Sequence, residues 1–136
     1  MGGAQLLSAD VAIIGCGPVG ALLANLLGQA GLAVDVYERD RDIHPLPRAV
    51  HFDGEVMRIF QSAGLADEIA VAARSSSQGM RFVNAAGRTL MIRRGIEGPG
   101  PHGWINNWYF HQPALEEILR RGLARFPNVT LHLGHE

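Results

Sequence analysis

The residues Gly15-Cys16-Gly17-Pro18-Val19-Gly20 have types and spacing that could do specific chemistry. Glycines in a G-x-G-x-x-G pattern, leaving a strand and opening a helix, cradle a dinucleotide pyrophosphate when an acid follows about twenty residues on. Glu38 lies eighteen residues after Gly20. Each glycine has its own task. Gly15 allows the tight turn, Gly17 lets the backbone approach a pyrophosphate, and Gly20 lets the helix pack close to the strand. Pro18 suits the first helical turn, where its missing N–H costs nothing. The N–H groups and partial positive charge at the helix start face the phosphates. Glu38 would accept hydrogen bonds from the adenosine ribose hydroxyls, and a carboxylate there disfavours the 2′-phosphate of NADP. The candidate cofactor-binding residues of this segment are Gly15, Gly17, Pro18, Val19, Gly20, Glu38 and the adjacent Arg39. The other reading is a glycine-rich turn in a nucleotide-free α/β domain. The motif itself does not separate FAD from NAD.

The motif has this meaning only if the uncharged stretch Val11 to Val34 is cut into strand, turn and helix. Its length alone would suit a membrane span. Four glycines and Pro18 between Gly15 and Gly28, a further Gly31, and the polar Asn25 and Gln29 argue against one. No basic segment precedes the stretch and Asp10 stands at its mouth, so a signal peptide is not expected. Val11 to Ile14 is an apolar run without polar alternation, as in a parallel strand covered on both faces. Val19, Leu22, Leu23, Leu26, Leu27 and Ala30 recur at helical spacing and predict the apolar face of a helix that stops at Gly31. Ala33 to Tyr37 predicts a second strand, ending at Glu38. Beyond it, helices are expected over 53–64, 65–73 and 113–125. Asp53 caps the first of these, with Val56, Ile59, Phe60 and Ala63 inward. The last turns Leu115, Ile118, Leu119 and Leu123 inward. A hairpin is expected near 79–94 around Ala85-Ala86-Gly87, and a final strand over 129–133. The three strands near 10–15, 33–38 and 129–134 should lie parallel in the order last, second, first.

Composition removes several other functions. The chain has 136 residues, 47% apolar and 18% charged, and a formal net charge of −1. That is one domain's worth of foldable chain, without a general electrostatic grip on nucleic acid. All twelve basic residues are arginine. A P-loop lysine, a pyridoxal Schiff base and a lysine general base are therefore excluded, while planar two-point recognition of phosphate remains available. The single cysteine, Cys16, allows no internal disulfide and is expected to pack as a small side chain inside the turn. His44, His51, His102, His111, His132 and His135 show no metal-ligand spacing, and no metal is expected. Trp104, Trp108, Tyr109 and Phe110 either join the core or line a pocket.

Two further segments carry a resemblance. Asp42 to Glu55, with Pro47-Arg48-Ala49 ahead of an acidic helix start, resembles the loop after the second strand in FAD-dependent aromatic hydroxylases of the p-hydroxybenzoate hydroxylase type. Trp108 to Glu116 is similar to the segment entering the next helix in the 3-(3-hydroxyphenyl)propionate hydroxylase branch. The resemblance covers essentially the whole chain but only the first part of the family's sequence.

The resemblance implies a Rossmann-type α/β FAD-binding fold with a parallel sheet and an added hairpin. It implies bound FAD, with NAD(P)H as a transient reductant. It also implies that Arg48 lies by the flavin and its phosphates, and that Gln112 contacts the cofactor from the helix start. A guanidinium suits a pyrophosphate on general grounds. In the family, flavin reduction and oxygen activation lead to transfer of an OH group to a phenolic or other aromatic ring. The partners would be that small molecule and O2, in the cytoplasm, with a homodimer left open. Family members carry a later glycine-aspartate motif, a substrate-binding sheet and a C-terminal region. Residues 1–136 are therefore expected to be the N-terminal part of an FAD-binding domain, inactive alone, and no catalytic residue is assigned. The strand Val11 to Ile14 is expected to have an open edge. The alternative function is a standalone module that binds NAD or FAD without turnover.

Overall fold

The computed structural model describes residues 9–135, so the expectation about a leader falls on residues outside the described ones. The elements in chain order are β1 (Val11–Ile14), α1 (Pro18–Gln29), β2 (Val34–Glu38), β3 (His51–Phe52), α2 (Gly54–Ser62), α3 (Ala66–Ala72), β4 (Arg74–Ser75), β5 (Met80–Val83), β6 (Thr89–Arg93), β7 (Trp108–Tyr109), α4 (Gln112–Leu123) and β8 (Val129–Leu133). The described residues group into two compact units, 9–48 with 112–135, and 49–111.

The first unit holds a parallel sheet in the order β1-β2-β8. Val11 pairs with Val34 and Ile14 with Tyr37, while Val34 pairs with Val129 and Glu38 with Leu133. This is the expected order and direction. Val34 and Val36 are buried, and burying each side chain contributes about 1.5–3 kcal/mol. Among the described residues β1 is an edge strand, and Ile14 is 84% exposed.

The buried face of α1 differs from expectation. Its buried residues are Ala21, Ala24, Asn25 and Gly28, whereas Val19 is 81% and Leu23 43% exposed. A stripe of small side chains wins because the helix is packed too closely for leucines. A Cβ on Gly28 would stand 2.6 Å from Val129 Cγ2 and 2.9 Å from Phe126 Cγ. Asn25 is fully buried, and its Nδ2 donates to the carbonyls of Ala21 (2.8 Å) and Leu119 (2.9 Å). One polar side chain thus pins α1 to α4. On α4 the expected residues Leu115, Ile118, Leu119 and Leu123 are all buried.

The second unit is built on α2 and a small sheet in the order β3-β7-β4. Asp53 caps α2 as expected, its Oδ1 accepting from the N–H groups of Glu55 and Val56 at 3.1 and 3.0 Å. The helix centres its buried face on Met57 and Phe60 rather than on Val56 and Ile59. Phe52 packs edge-on against Phe60 (5.4 Å between centroids) and stacks over Trp108 (6.3 Å). Trp108 is therefore a core residue. Strands β5 and β6 form the expected hairpin, antiparallel with a bulge at Phe82/Val83. Asn84 Oδ1 ties its turn by accepting from Ala86 and Arg88 N–H. Both strands of the hairpin are exposed throughout among the described residues.

Candidate dinucleotide-binding site

β1 ends at Ile14, and the chain turns at Gly15, whose φ of +96° favours glycine. Its N–H donates to Tyr37 O at 2.7 Å, which fixes the turn to the end of β2. Gly17 is the N-cap of α1, in ordinary extended geometry (φ −75°, ψ −170°), with Pro18 following. No side chain caps this helix, so its first-turn N–H groups, which have no partner within a helix, face outward. A Cβ added to Gly17 would meet no atom within 4 Å. Gly20 is the opposite case. Its Cβ would overlap the carbonyl oxygen of Gly15 and stand 3.3 Å from Ile13 Cγ2. One glycine faces open space and the other a backbone wall, as the motif requires.

Glu38 closes the site from the end of β2. Its Oε2 accepts the Cys16 N–H at 2.7 Å and its Oε1 the Asp40 N–H at 3.0 Å. The side chain is only 12% exposed. Burial pushes its carboxyl up, but the Asp40 and Cys16 N–H groups, then the Arg120 and Arg39 guanidiniums, outweigh burial and hold it below the usual carboxylate range. Cys16 is fully buried and packs inside the turn. Burial raises its thiol pKa, with Arg120 opposing and Glu38 and Glu116 adding to the rise.

Two hollows meet at Glu38 and Arg39. One, of about 600 Å³, is lined by Ile14, Gly15, Tyr37, Glu38, Arg39 and His135. The other, of about 190 Å³, brings Gly17, Glu38 and Arg39 together with Arg48, Glu116 and Arg120. The first offers a ring-sized surface, with Tyr37 stacked on His132 at 4.7 Å. The second sets the guanidiniums of Arg39, Arg48 and Arg120 among four carboxylates, Glu38, Asp40, Asp42 and Glu116; the open helix start with Arg39 and Arg48 is the part of it that suits phosphate. A carboxylate between the two suits ribose hydroxyls. The residues present thus fit a dinucleotide.

Of the residues expected from sequence, Gly15, Gly17, Pro18, Val19 and Gly20 form the turn, while Glu38, Arg39 and Arg48 line the hollows. Val19 is turned outward. Arg39 is exposed and lies 3.7 Å from Asp40. Gln112 is buried, its Oε1 accepting the Arg48 N–H and its Nε2 donating to Glu116 Oε1, both at 2.8 Å. The sequence reading missed Arg120 and Glu116. Arg120 Nε donates to Cys16 O at 3.1 Å, and its Nη2 lies 3.9 Å from Glu38 Oε2 and 4.0 Å from Glu116 Oε2. The signal was present as Gln112, Glu116 and Arg120, polar residues at i, i+4 and i+8 that run beside Leu119 and Leu123 along the buried side of α4.

In the second unit a separate hollow of about 250 Å³ has Tyr109 on its wall, with Asp53, Arg93, Arg94 and His102. Of the aromatic cluster, Trp108 went to the core and Tyr109 to this wall. Among the described residues no group of three His, Cys, Asp or Glu could hold a metal ion. No described helix is long and apolar enough to cross a membrane.

Known proteins share both sequence and fold. The chain is 44% identical over 129 residues to a 3-(3-hydroxy-phenyl)propionate/3-hydroxycinnamic acid hydroxylase of Comamonas testosteroni, covering 94% of this chain and 21% of the relative. It is 37% identical over 132 residues to a probable NADH-specific resorcinol 4-hydroxylase of Rhodococcus jostii, covering 97% of this chain and 24% of that one. The chain thus spans between a fifth and a quarter of the length of these relatives. Its fold superimposes on the flavin-dependent monooxygenase PieE, solved with FAD and substrate, with a TM-score of 0.80 at 24% identity, over 98% of this chain and 25% of that one. Over residues 8–136 the sequence matches one family throughout, and the chain belongs to the FAD binding domain family.

Proposed function

We infer that residues 1–136 are the N-terminal part of an FAD-binding domain, with a hairpin insertion near 79–94, in an NAD(P)H-dependent monooxygenase that hydroxylates a phenolic or other aromatic substrate. The observation that carries this reading is the open space before Gly17, bounded by a helix start, Arg48 and the Glu38 carboxylate. The relatives, named as phenolic hydroxylases, supply the reaction class.

Each residue then has a task. The N–H groups at the start of α1 and the guanidiniums of Arg39 and Arg48 hold the diphosphate. Gly15, Pro18, Val19 and Gly20 shape the backbone that presents those groups. Glu38 accepts from the adenosine ribose, and the hollow at Tyr37 and His135 takes the adenine. Gln112 fixes the peptide of Arg48 and approaches the cofactor from the start of α4. FAD, once bound, would supply the redox chemistry of a monooxygenation, with NAD(P)H as reductant, O2 as oxidant, one oxygen atom going to the ring and the other to water. This reading puts the protein in the cytoplasm, with its nicotinamide reductant, and admits a homodimer.

The test is retention of flavin. Purified protein mixed with FAD and desalted should keep the visible flavin spectrum, and ADP should displace it. Retention of NAD with no retention of FAD would replace this reading with a nucleotide-binding module that performs no turnover.

A further inference from the structure

We propose that Arg120 is a positioning residue for the cofactor: it holds the Glu38 carboxylate and the Cys16 peptide in one arrangement, and through Glu116 and Gln112 it ties the Arg48 loop to the phosphate turn. This rests on the FAD reading above and deepens it.

The links form one chain of polar contacts inside the first unit. Arg120 Nε donates to Cys16 O at 3.1 Å, and the N–H of the same residue donates to Glu38 Oε2 at 2.7 Å. The N–H and the carbonyl of Cys16, in the two peptide units on either side of its Cα, are therefore both fixed by side chains. The far end of the guanidinium is shared, with Nη2 at 3.9 Å from Glu38 and 4.0 Å from Glu116. Glu116 is 3% exposed and accepts from Gln112 Nε2. That bond leaves Gln112 Oε1 turned to the Arg48 N–H. A phosphate contact, a ribose contact and the arginine loop are thus set by one cation on α4.

The electrostatics explain why that cation is needed. Two carboxylates lie within 4.0 Å of one guanidinium nitrogen, with side chains 12% and 3% exposed. Without the cation, like charges at this burial favour uptake of a proton. Arg39, Asp40, Asp42, His44 and Arg48 line the same hollow, and Cys16 contacts Glu38 from the turn. A neutral Glu38 would lose acceptor capacity for the ribose.

The experiment is FAD titration of purified protein across pH, for the wild type, Arg120→Gln and Arg120→Lys, with ADP competition alongside. Profiles are taken as the ratio of variant to wild type, which removes pH effects common to both proteins. Arg120→Gln should weaken FAD and ADP by a similar factor, about tenfold at neutral pH, with the ratio growing as pH falls. Arg120→Lys restores the charge and should recover most of the affinity and flatten the ratio. Equal affinity of Arg120→Gln and wild type would overturn the proposal. A loss that is the same for Gln and Lys and independent of pH would overturn it too, as mere packing. If Arg120→Gln does not fold, the Lys variant decides: near-wild-type affinity with a flat ratio supports the role, and a large loss at unchanged melting temperature overturns it. Wild-type protein that fails to bind FAD removes the FAD reading itself, a result distinct from all of these.

Discussion

Gly17→Val separates a phosphate-binding turn from a turn that merely needs glycine. Gly17 sits at φ −75° and ψ −170°, which any residue adopts, and a Cβ there meets no atom within 4 Å. Replacing glycine in a compatible conformation stabilises by about 0.4–1 kcal/mol through the unfolded chain. Losing glycine at an N-cap costs a similar amount, since Val is a poor cap. The two nearly cancel, so the melting temperature of the free protein should hardly move. Cofactor affinity should behave differently. The Cβ and its methyls project into the space before the first turn of α1, where phosphate oxygens would have to come within about 3 Å of backbone N–H groups. Losing two hydrogen bonds to a charged group, at about 1.5–3 kcal/mol each, weakens FAD by at least about a hundredfold. Circular dichroism melts and flavin titration on the same sample read both quantities. A well-folded Gly17→Val protein that still binds FAD like the wild type would refute the phosphate-turn assignment, and most of the functional reading with it.

Gly20→Ala should show the reverse split: its Cβ overlaps the Gly15 carbonyl oxygen, so the melt of the cofactor-free protein should record a loss of about 3 kcal/mol. Asn25→Ala removes the donor to Ala21 and Leu119 carbonyls and should lower unfolding free energy in urea by about 1–3 kcal/mol; an unchanged midpoint would mean that α1 and α4 are held by their apolar contacts alone. Glu38 has a folded pKa below its usual value. Its contribution to stability is thus complete above the unfolded carboxyl pKa of about 4.3 and is lost as pH falls through the folded value. Urea midpoints of wild type and Glu38→Gln should therefore converge in acid and separate above that range, and parallel curves would contradict this.

The sequence made the sheet legible because β1 is an apolar run stopped by glycine, and β2 carries Val34 and Val36 in alternation up to Glu38. Val11 to Ile14 stops at Gly15 and Val34 to Tyr37 at Glu38, and both strands are as expected within a residue. The face of α1 was not legible. Leu22, Leu23, Leu26 and Leu27 are matched in number by Gly20, Ala21, Ala24 and Gly28, but a hydrophobic pattern counts apolar area rather than closeness of approach. Only the packing partners, Val129 and Phe126 against Gly28, select the small face. Strands β3, β4 and β7 hold two residues each, too few for an alternation to register.

The site divides along the same line. The parts contributed by backbone were readable, since glycine and proline announce the conformations they permit, and Gly15, Gly17 and Gly20 each stand in the environment their spacing implies. The parts contributed by distant side chains were not. Arg120 acts on Cys16 across 104 positions of sequence, and nothing local distinguishes it from the neighbouring Arg121, which pairs with Glu117 in a largely exposed setting. Two adjacent arginines at a helix end look like a solvated face. They differ because a helical step of 100° turns one toward β2 and the other away. The orientation follows from the buried Leu115, Ile118 and Leu119, so once α4 has an inside, the line Gln112–Glu116–Arg120 has only one place to point. A buried Glu beside a partly buried Arg on such a helix is expensive to keep without a further partner, and the partner of the Arg here is the carboxylate at the end of the second strand.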